Sequence, residues 1–284
     1  MNLFHIFDSI AQIDAKALDR FDTRRAVFGH MFSTGKKITA AAAPVFLASF
    51  FNKAYAGEQR VQETVKQVLA YALRLERLEY AFYRDGLASS TLALSGNDRT
   101  GLEEIRDNEL AHVNLLESLL LPAERPAVDT YRFDKVYTAV FNDRDTFLAV
   151  AQALEDTGVR AYKGRAGELK GTAELETALN IHSVEARHAA HIRVMRGKTA
   201  WIPGDDSTNG IPTVTLPAPL TGTVAGNAFY LAGASGTPSE ANTTQAGQSG
   251  LYAGNNIPAE RYSEAFDEPL DPTTVLNTVG ALFL

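Results

Sequence analysis

The sequence predicts an all-α fold. Its centre is a four-helix bundle of two hairpins joined by one long crossover. An irregular extension follows and ends in a short helix. Three observations predict this. Apolar residues recur in steps of three and four through four stretches between residues 58 and 197. The pattern Glu-x-x-His occurs twice, at Glu109/His112 and Glu185/His188, each time thirty residues after a glutamate in an apolar stripe, Glu79 and Glu155. The segment between the two halves, 122–141, is long and carries Pro122 and Pro126.

The first helix is expected within 58–96, on the stripe Val61, Val65, Val68, Ala72, Leu75, Phe82 and Gly86, with Glu79 inside it. Glu76 falls off that stripe and is expected at the rim or in solvent. A second helix over 98–121 starts from Asp98 as its cap and aligns Leu102, Ile105, Glu109, His112 and Leu116; Pro122 ends it. Twenty extended residues reach about 66 Å at ~3.3 Å each, and a 25-residue helix is about 38 Å long. The crossover can therefore run the length of the bundle. The third helix, 142–169, is capped by Asn142 or Asp143 and carries Leu148, Ala151, Glu155, Val159, Tyr162, Ala166 and Leu169 on one face. The fourth, 173–197, carries Leu175, Ala178, Ile181, Glu185, His188, Ile192 and Met195, with Gly197 at its end. Residues 58–121 and 142–197 are two versions of one unit.

Residues 198–284 are rich in Gly, Pro, Ser, Thr and Asn. Stretches 213–216 and 228–231 suit short strands or extended wraps. A last helix runs from Pro272 to Phe283 with Asp271 as its cap. The extension is expected to pack on the bundle. From Thr199 onward there are eight acidic residues and one basic residue, Arg261; the whole chain carries a net charge of −7. No polybasic stretch exists, which argues against a nucleic-acid partner. There is no cysteine, so disulfides, thiolate metal sites and Fe–S clusters are excluded.

Residues 1–57 combine an amphipathic start (Phe4, Phe7, Ile10, Ile13) with Arg24-Arg25, an apolar run from Ile38 to Phe51 and Ala54-Tyr55-Ala56. That run is too short for a bilayer span of ~20 residues. With Ala-x-Ala behind it and twin arginines ahead, it reads as a Tat-type export signal cleaved near Ala56. The location expected is periplasmic or otherwise extracytoplasmic; the alternative is a cytoplasmic protein that keeps residues 1–56 as helices.

On a helix, positions i and i+3 share a face, so each Glu-x-x-His aims a carboxylate and an imidazole at one point. Two such pairs and two further stripe glutamates form the inward ligand set of a di-metal carboxylate bundle. The six ligands expected are Glu79, Glu109, His112, Glu155, Glu185 and His188. Such O/N donors suit two Fe ions, with Mn as the alternative and Zn as a substitute. Burying four carboxylates with only two imidazoles calls for added positive charge. His182 and His191 are expected at the rim, and Tyr162 as core packing.

Leu78-Glu79-Tyr80-Ala81-Phe82-Tyr83, Glu109/His112, Glu155-Asp156-Thr157-Gly158-Val159-Arg160-Ala161-Tyr162 and Val184-Glu185-Ala186-Arg187-His188 resemble ferritin-like proteins of the desiccation-related type. The resemblance covers 58–197 and implies a ferritin-like bundle. The same ligand pattern fits manganese catalases, rubrerythrin-like peroxidases and ferroxidases. A rubrerythrin has an extra glutamate three residues past its third-helix ligand; here that position is Gly158, and the cysteines of a rubredoxin site are absent. The leading reading is a di-iron oxidoreductase or ferroxidase-like protein that meets O2 or peroxide in stress protection. The alternatives are manganese catalase-like peroxide dismutation and a non-enzymatic, stress-protective bundle. A homo-oligomer stays open.

Overall fold

A computed structural model describes residues 65–216, 223–242, 258 and 260–283. The expected export segment lies outside the described residues. Two long hairpins carry the fold. The first is α1 (Val65–Ala88) with α2 (Gly96–Leu119). A crossover holding the one-turn α3 (Phe133–Val136) leads to α4 (Arg144–Arg165) and α5 (Glu174–Met195). The two hairpins meet along α1 and α4. The extension contributes the two-residue strands β1 (Val214–Thr215) and β2 (Thr223–Val224), then α6 (Glu260–Glu264) and α7 (Pro272–Val279). The strands pair antiparallel, Val214 opposite Val224.

Local chemistry explains the ends of these helices. Helix α2 starts earlier than the sequence suggests, because Ser95 Oγ, not Asp98, caps it by accepting from Asp98 N–H at 3.1 Å. The Asp98 carboxylate is thereby free to take Arg144 Nε at 2.7 Å. Asp143 caps α4 through Thr146 N–H at 2.8 Å. Gly197 ends α5 in the left-handed region, φ 68°, and the Lys198 N–H returns to Arg193 O at 2.8 Å. Asp271 caps α7 by accepting from Thr274 N–H at 3.0 Å. Residues 228–230 form a 3-10 turn rather than a strand.

The core has two apolar parts. One gathers Phe82, Phe133, Phe147, Leu102 and Ile192; Phe82 stacks on Phe147 with centroids 4.8 Å apart. The other gathers Val68, Leu73, Val113, Leu116 and Ile181. Each long helix contributes to both, and between the two contributions each carries buried acidic residues or an acid and a histidine.

Helix α4 departs from a one-faced stripe. Every residue from Phe147 to Tyr162 is buried, because the extension covers the side that the other helices leave open. Arg160 makes that cover. Its side chain is wholly enclosed and donates to Phe229 O at 2.5 Å, Leu231 O at 3.2 Å, Pro238 O at 2.9 Å and Glu268 O at 3.1 Å. Its Nε also lies 2.8 Å from Glu240 Oε1. Burial pushes the Glu240 carboxyl up to about 8, with Arg160 pulling against it. Gly164 lets the chain come this close: a Cβ there would sit 2.0 Å from Leu270 O. At the far end Arg132 N–H donates to Leu282 O at 2.9 Å, tying the crossover to the C-terminal turn.

Removing one partner of a buried pair strands the other, at a cost of about 3–5 kcal/mol. Arg160→Leu is expected to lose that much in urea denaturation, and proteases should then cleave the extension before the bundle. Unchanged stability with an intact extension would show that the apolar contacts alone hold it.

Candidate metal centre

Five glutamates and two histidines converge in the layer between the two apolar clusters. Helix α1 supplies Glu76 and Glu79, α2 Glu109 and His112, α4 Glu155, and α5 Glu185 and His188; all seven are buried. They form two overlapping groups. Glu76, Glu109, His112 and Glu185 make one; Glu109, Glu155, Glu185 and His188 make the other. Within each group the donor atoms lie within 4.8 Å of one another.

Both imidazoles point inward through Nδ1. His112 Nδ1 lies 3.0 Å from Glu76 Oε2, 3.2 Å from Glu109 Oε2 and 3.3 Å from Glu185 Oε1. His188 Nδ1 lies 2.7 Å from Glu109 Oε1 and 3.2 Å from Glu155 Oε2. The 2.7 Å approach is close but not aligned for a hydrogen bond, so Glu109 Oε1 has no hydrogen-bond partner among the described residues. Neither do Glu79 Oε2 and both Glu185 oxygens. Buried carboxylate oxygens without donors, set between two inward imidazole nitrogens, are a donor set for a divalent cation.

Five of the six expected residues sit in these two groups: Glu109, His112, Glu155, Glu185 and His188. Glu79 is beside them but in neither group. The place opposite Glu155 is taken by Glu76, which is fully enclosed rather than at the rim. Tyr162 is correspondingly more than core packing: its hydroxyl donates to Glu76 Oε1 at 2.5 Å. Tyr83 does the same for Glu155 Oε1 at 2.5 Å. The two hairpins thus exchange contacts, each glutamate being held by the tyrosine of the other unit. A signal for this was present in the sequence. Glu76 precedes Tyr83 by seven residues, and Glu155 precedes Tyr162 by seven. In that register Glu79 corresponds to Gly158. A Cβ on Gly158 would lie 2.9 Å from Glu185 Oε2 and 3.3 Å from Glu79 Oε1, so the glycine makes room for both carboxyls.

Residues 64–198 match the ferritin-like domain family. No curated protein matches the chain. The matched span contains all four long helices and all seven residues of the centre.

The histidines around this centre differ in role. His188 Nε2 lies 3.4 Å from Asn108 Nδ2. His182 is half-buried with Nδ1 3.0 Å from Val159 O, and burial lowers its pKa. His191 is exposed, as its spacing suggests.

Burial and mutual repulsion dominate the electrostatics. Burial first, then Glu185, Glu155 and Glu109, push the Glu79 carboxyl far up. Glu185 rises for the same reasons. Burial and Glu155 lift Glu109 to about 7 against the pull of both histidines. Burial also acts to raise Glu76, but its bonds to His112 and Tyr162 outweigh it and leave the group below its usual value. Burial lowers His188, yet Glu155 and Glu109 overcome it and hold it near 11. His112 is likewise held well above the usual imidazole range, against burial, by Glu109, Glu185 and Glu76.

The signs give a pH dependence for the metal-free protein. Glu79, Glu109 and Glu185 have raised pKa values, so the folded state binds more protons than the unfolded chain above about pH 4.5. Their contribution to stability is lost as pH rises; for Glu109 the loss spans about 4.5 to about 7. The raised histidines add a further loss above about 6.5. Chelated protein is therefore expected to melt at a lower temperature at pH 7 than at pH 5 in scanning calorimetry. Added divalent metal should raise the pH 7 value more. Glu109→Gln combined with Glu185→Gln should raise the melting temperature of the chelated protein at pH 7 while weakening metal binding. A chelated protein that melts higher at pH 7, or a double variant less stable than the chelated parent, would remove the repulsion argument.

Proposed function

We propose that the ferritin-like bundle holds two redox-active transition-metal ions, iron first and manganese as the alternative, and uses them in O2- or peroxide-linked oxidation. The observation that carries this is the set of buried oxygens on Glu79, Glu109 and Glu185 that have no hydrogen-bond partner among the described residues and lie beside two inward-facing Nδ1 atoms. Glu76 and His112 would hold one ion, Glu155 and His188 the other. Glu109 and Glu185 belong to both groups and would be shared. Glu79, the remaining expected ligand, would add a further carboxylate beside Glu185.

When bound, such an ion pair supplies electrons for reducing dioxygen or peroxide. The chain's own residues orient and insulate the site. Tyr83 and Tyr162 stay neutral, because burial and the adjacent carboxylates raise both hydroxyls. They fix one oxygen of Glu155 and one of Glu76, leaving the other turned to the imidazole side. The apolar clusters at both ends of the layer exclude water. Resemblance to desiccation-related proteins supports stress protection as the purpose.

The test starts from metal analysis of protein purified from its own source, with two ions per chain expected. Fe(II) oxidation under O2 and oxygen release from peroxide then distinguish ferroxidase-like from catalase-like chemistry. Glu76→Ala is expected to lower the stoichiometry to about one ion; if Glu79→Ala does so instead, Glu79 is the terminal ligand. Metal-free native protein that also binds no Fe(II) or Mn(II) would leave a purely structural bundle.

Arg24-Arg25, the apolar run and Ala54-Tyr55-Ala56 support export in the folded state. No described helix is long and apolar enough to cross a membrane. N-terminal sequencing of the native protein should start just after Ala56; a chain that still starts at Met1 would reject the cleaved signal.

A further inference from the structure

A small cavity of about 10 Å3 lies inside the aliphatic end of the bundle. That is close to the least space that admits one small molecule, ~10–15 Å3. Leu69 and Ala72 of α1, Leu116 of α2, Tyr162 of α4 and Ala178 of α5 line it, with Leu169 from the turn after α4. The helix register sets its distance from the carboxylate layer. Ala72 stands four residues before Glu76, and Leu116 four residues after His112, so each is about one turn, ~5.4 Å, from the layer along its helix. Tyr162 bridges that turn: it lines the cavity, and its hydroxyl bonds Glu76 Oε1 at 2.5 Å. The cavity therefore adjoins the Glu76–His112 side of the layer. The corresponding tyrosine of the other half, Tyr83, stands among packed rings instead, 6.3 Å from Phe147 between centroids. Phe147 is so close to α1 that a Cβ on Gly86 would sit 2.2 Å from its ring.

The walls decide what can occupy the space. They are mostly aliphatic, and the polar groups at their edge are engaged elsewhere. The Tyr162 hydroxyl is turned to Glu76. The Arg165 guanidinium stands 5.4 Å from the centre of the Tyr71 ring, with Nη2 3.1 Å from Glu168 Oε2. Water or peroxide would give up hydrogen bonds to enter and regain few. Dry apolar cavities take up small apolar molecules instead. The size limits such an occupant to a gas molecule, and the gas that the proposed chemistry consumes is dioxygen.

We propose that this cavity holds dioxygen and supplies it to the Glu76–His112 side of the layer, so that O2 rather than peroxide is the oxidant of the centre. The use of the gas rests on the metal reading; its binding rests on the cavity alone.

Dissolved O2 is paramagnetic and broadens the methyl NMR signals of side chains that it touches. In the chelated full-length protein under raised O2 pressure, the methyls of Leu69, Leu116 and Leu169 should broaden about threefold more than those of Leu102, Leu148 and Ile192 at the aromatic end, with N2 as the blank. Ala178→Leu, which fills the cavity from α5, should remove that difference; Ala72→Val serves if the first variant does not fold. With Fe(II) added, the filled variant should oxidise it with O2 about tenfold more slowly at low O2, through a raised KM for O2, while Fe(II) uptake and oxidation by added peroxide match the parent. Equal broadening at both ends, or a folded, filled variant with unchanged O2 kinetics or with equal slowing by peroxide, would overturn the proposal. A protein that takes up no Fe(II) would instead sink the metal reading and the oxidant role with it, while selective broadening would still support binding of the gas.

Discussion

The structure depends on one electrostatic problem: five carboxyl groups and two imidazoles held in one water-poor layer. Nothing apolar can occupy that layer, and each of the four long helices must bring an acidic group into it. Left alone, the carboxyls repel one another and keep their protons, as the raised values of Glu79, Glu109 and Glu185 show. The bundle tolerates this because the layer is bounded at each end by a dry cluster, aromatic at one end and aliphatic at the other. The same arrangement that makes the metal-free state costly makes a divalent cation favourable.

The tyrosines distribute that problem between the two halves. Tyr83 belongs to the first hairpin but bonds Glu155 of the second; Tyr162 belongs to the second but bonds Glu76 of the first. Each hairpin's terminal carboxylate is thus oriented only when the other hairpin is docked. Assembly of the site and docking of α1 on α4 are one event. Symmetry breaks at Glu79 and Gly158, where one half carries a carboxyl and the other the empty space it needs.

The extension solves a different constraint. Helix α4 is apolar or enclosed on every side, which a four-helix bundle cannot satisfy by itself. Arg160 and Gly164, with Arg193 of the adjoining α5, turn its outer side into a seat for main-chain carbonyls, for Tyr230 and for the acids Asp206 and Glu240. The acidic character of residues 199–284, a bare charge imbalance in the sequence, thereby acquires partners: two of its carboxylates meet the buried arginines of the bundle.

Periodicity determined the helices, because a 3.6-residue repeat of apolar side chains has one low-energy burial geometry whatever the neighbours are. The doubled Glu-x-x-His and the stripe glutamate Glu155 were legible for the same reason, since i and i+3 share a face on any helix. Ser95 rather than Asp98 as a cap is a local choice that spacing alone leaves open by a few residues. The choice between Glu76 and Glu79 was different in kind. Spacing placed Glu79 in the apolar stripe and Glu76 off it, but the two are only three residues apart, and the pattern of one helix does not fix which carboxyl meets residues of the other helices. Only the approach of His112 from α2 and Tyr162 from α4 decides that Glu76 completes the group. The burial of Arg160 was equally invisible, because its partners lie 69 to 108 residues away and an arginine becomes a core residue only when folded chain supplies the acceptors.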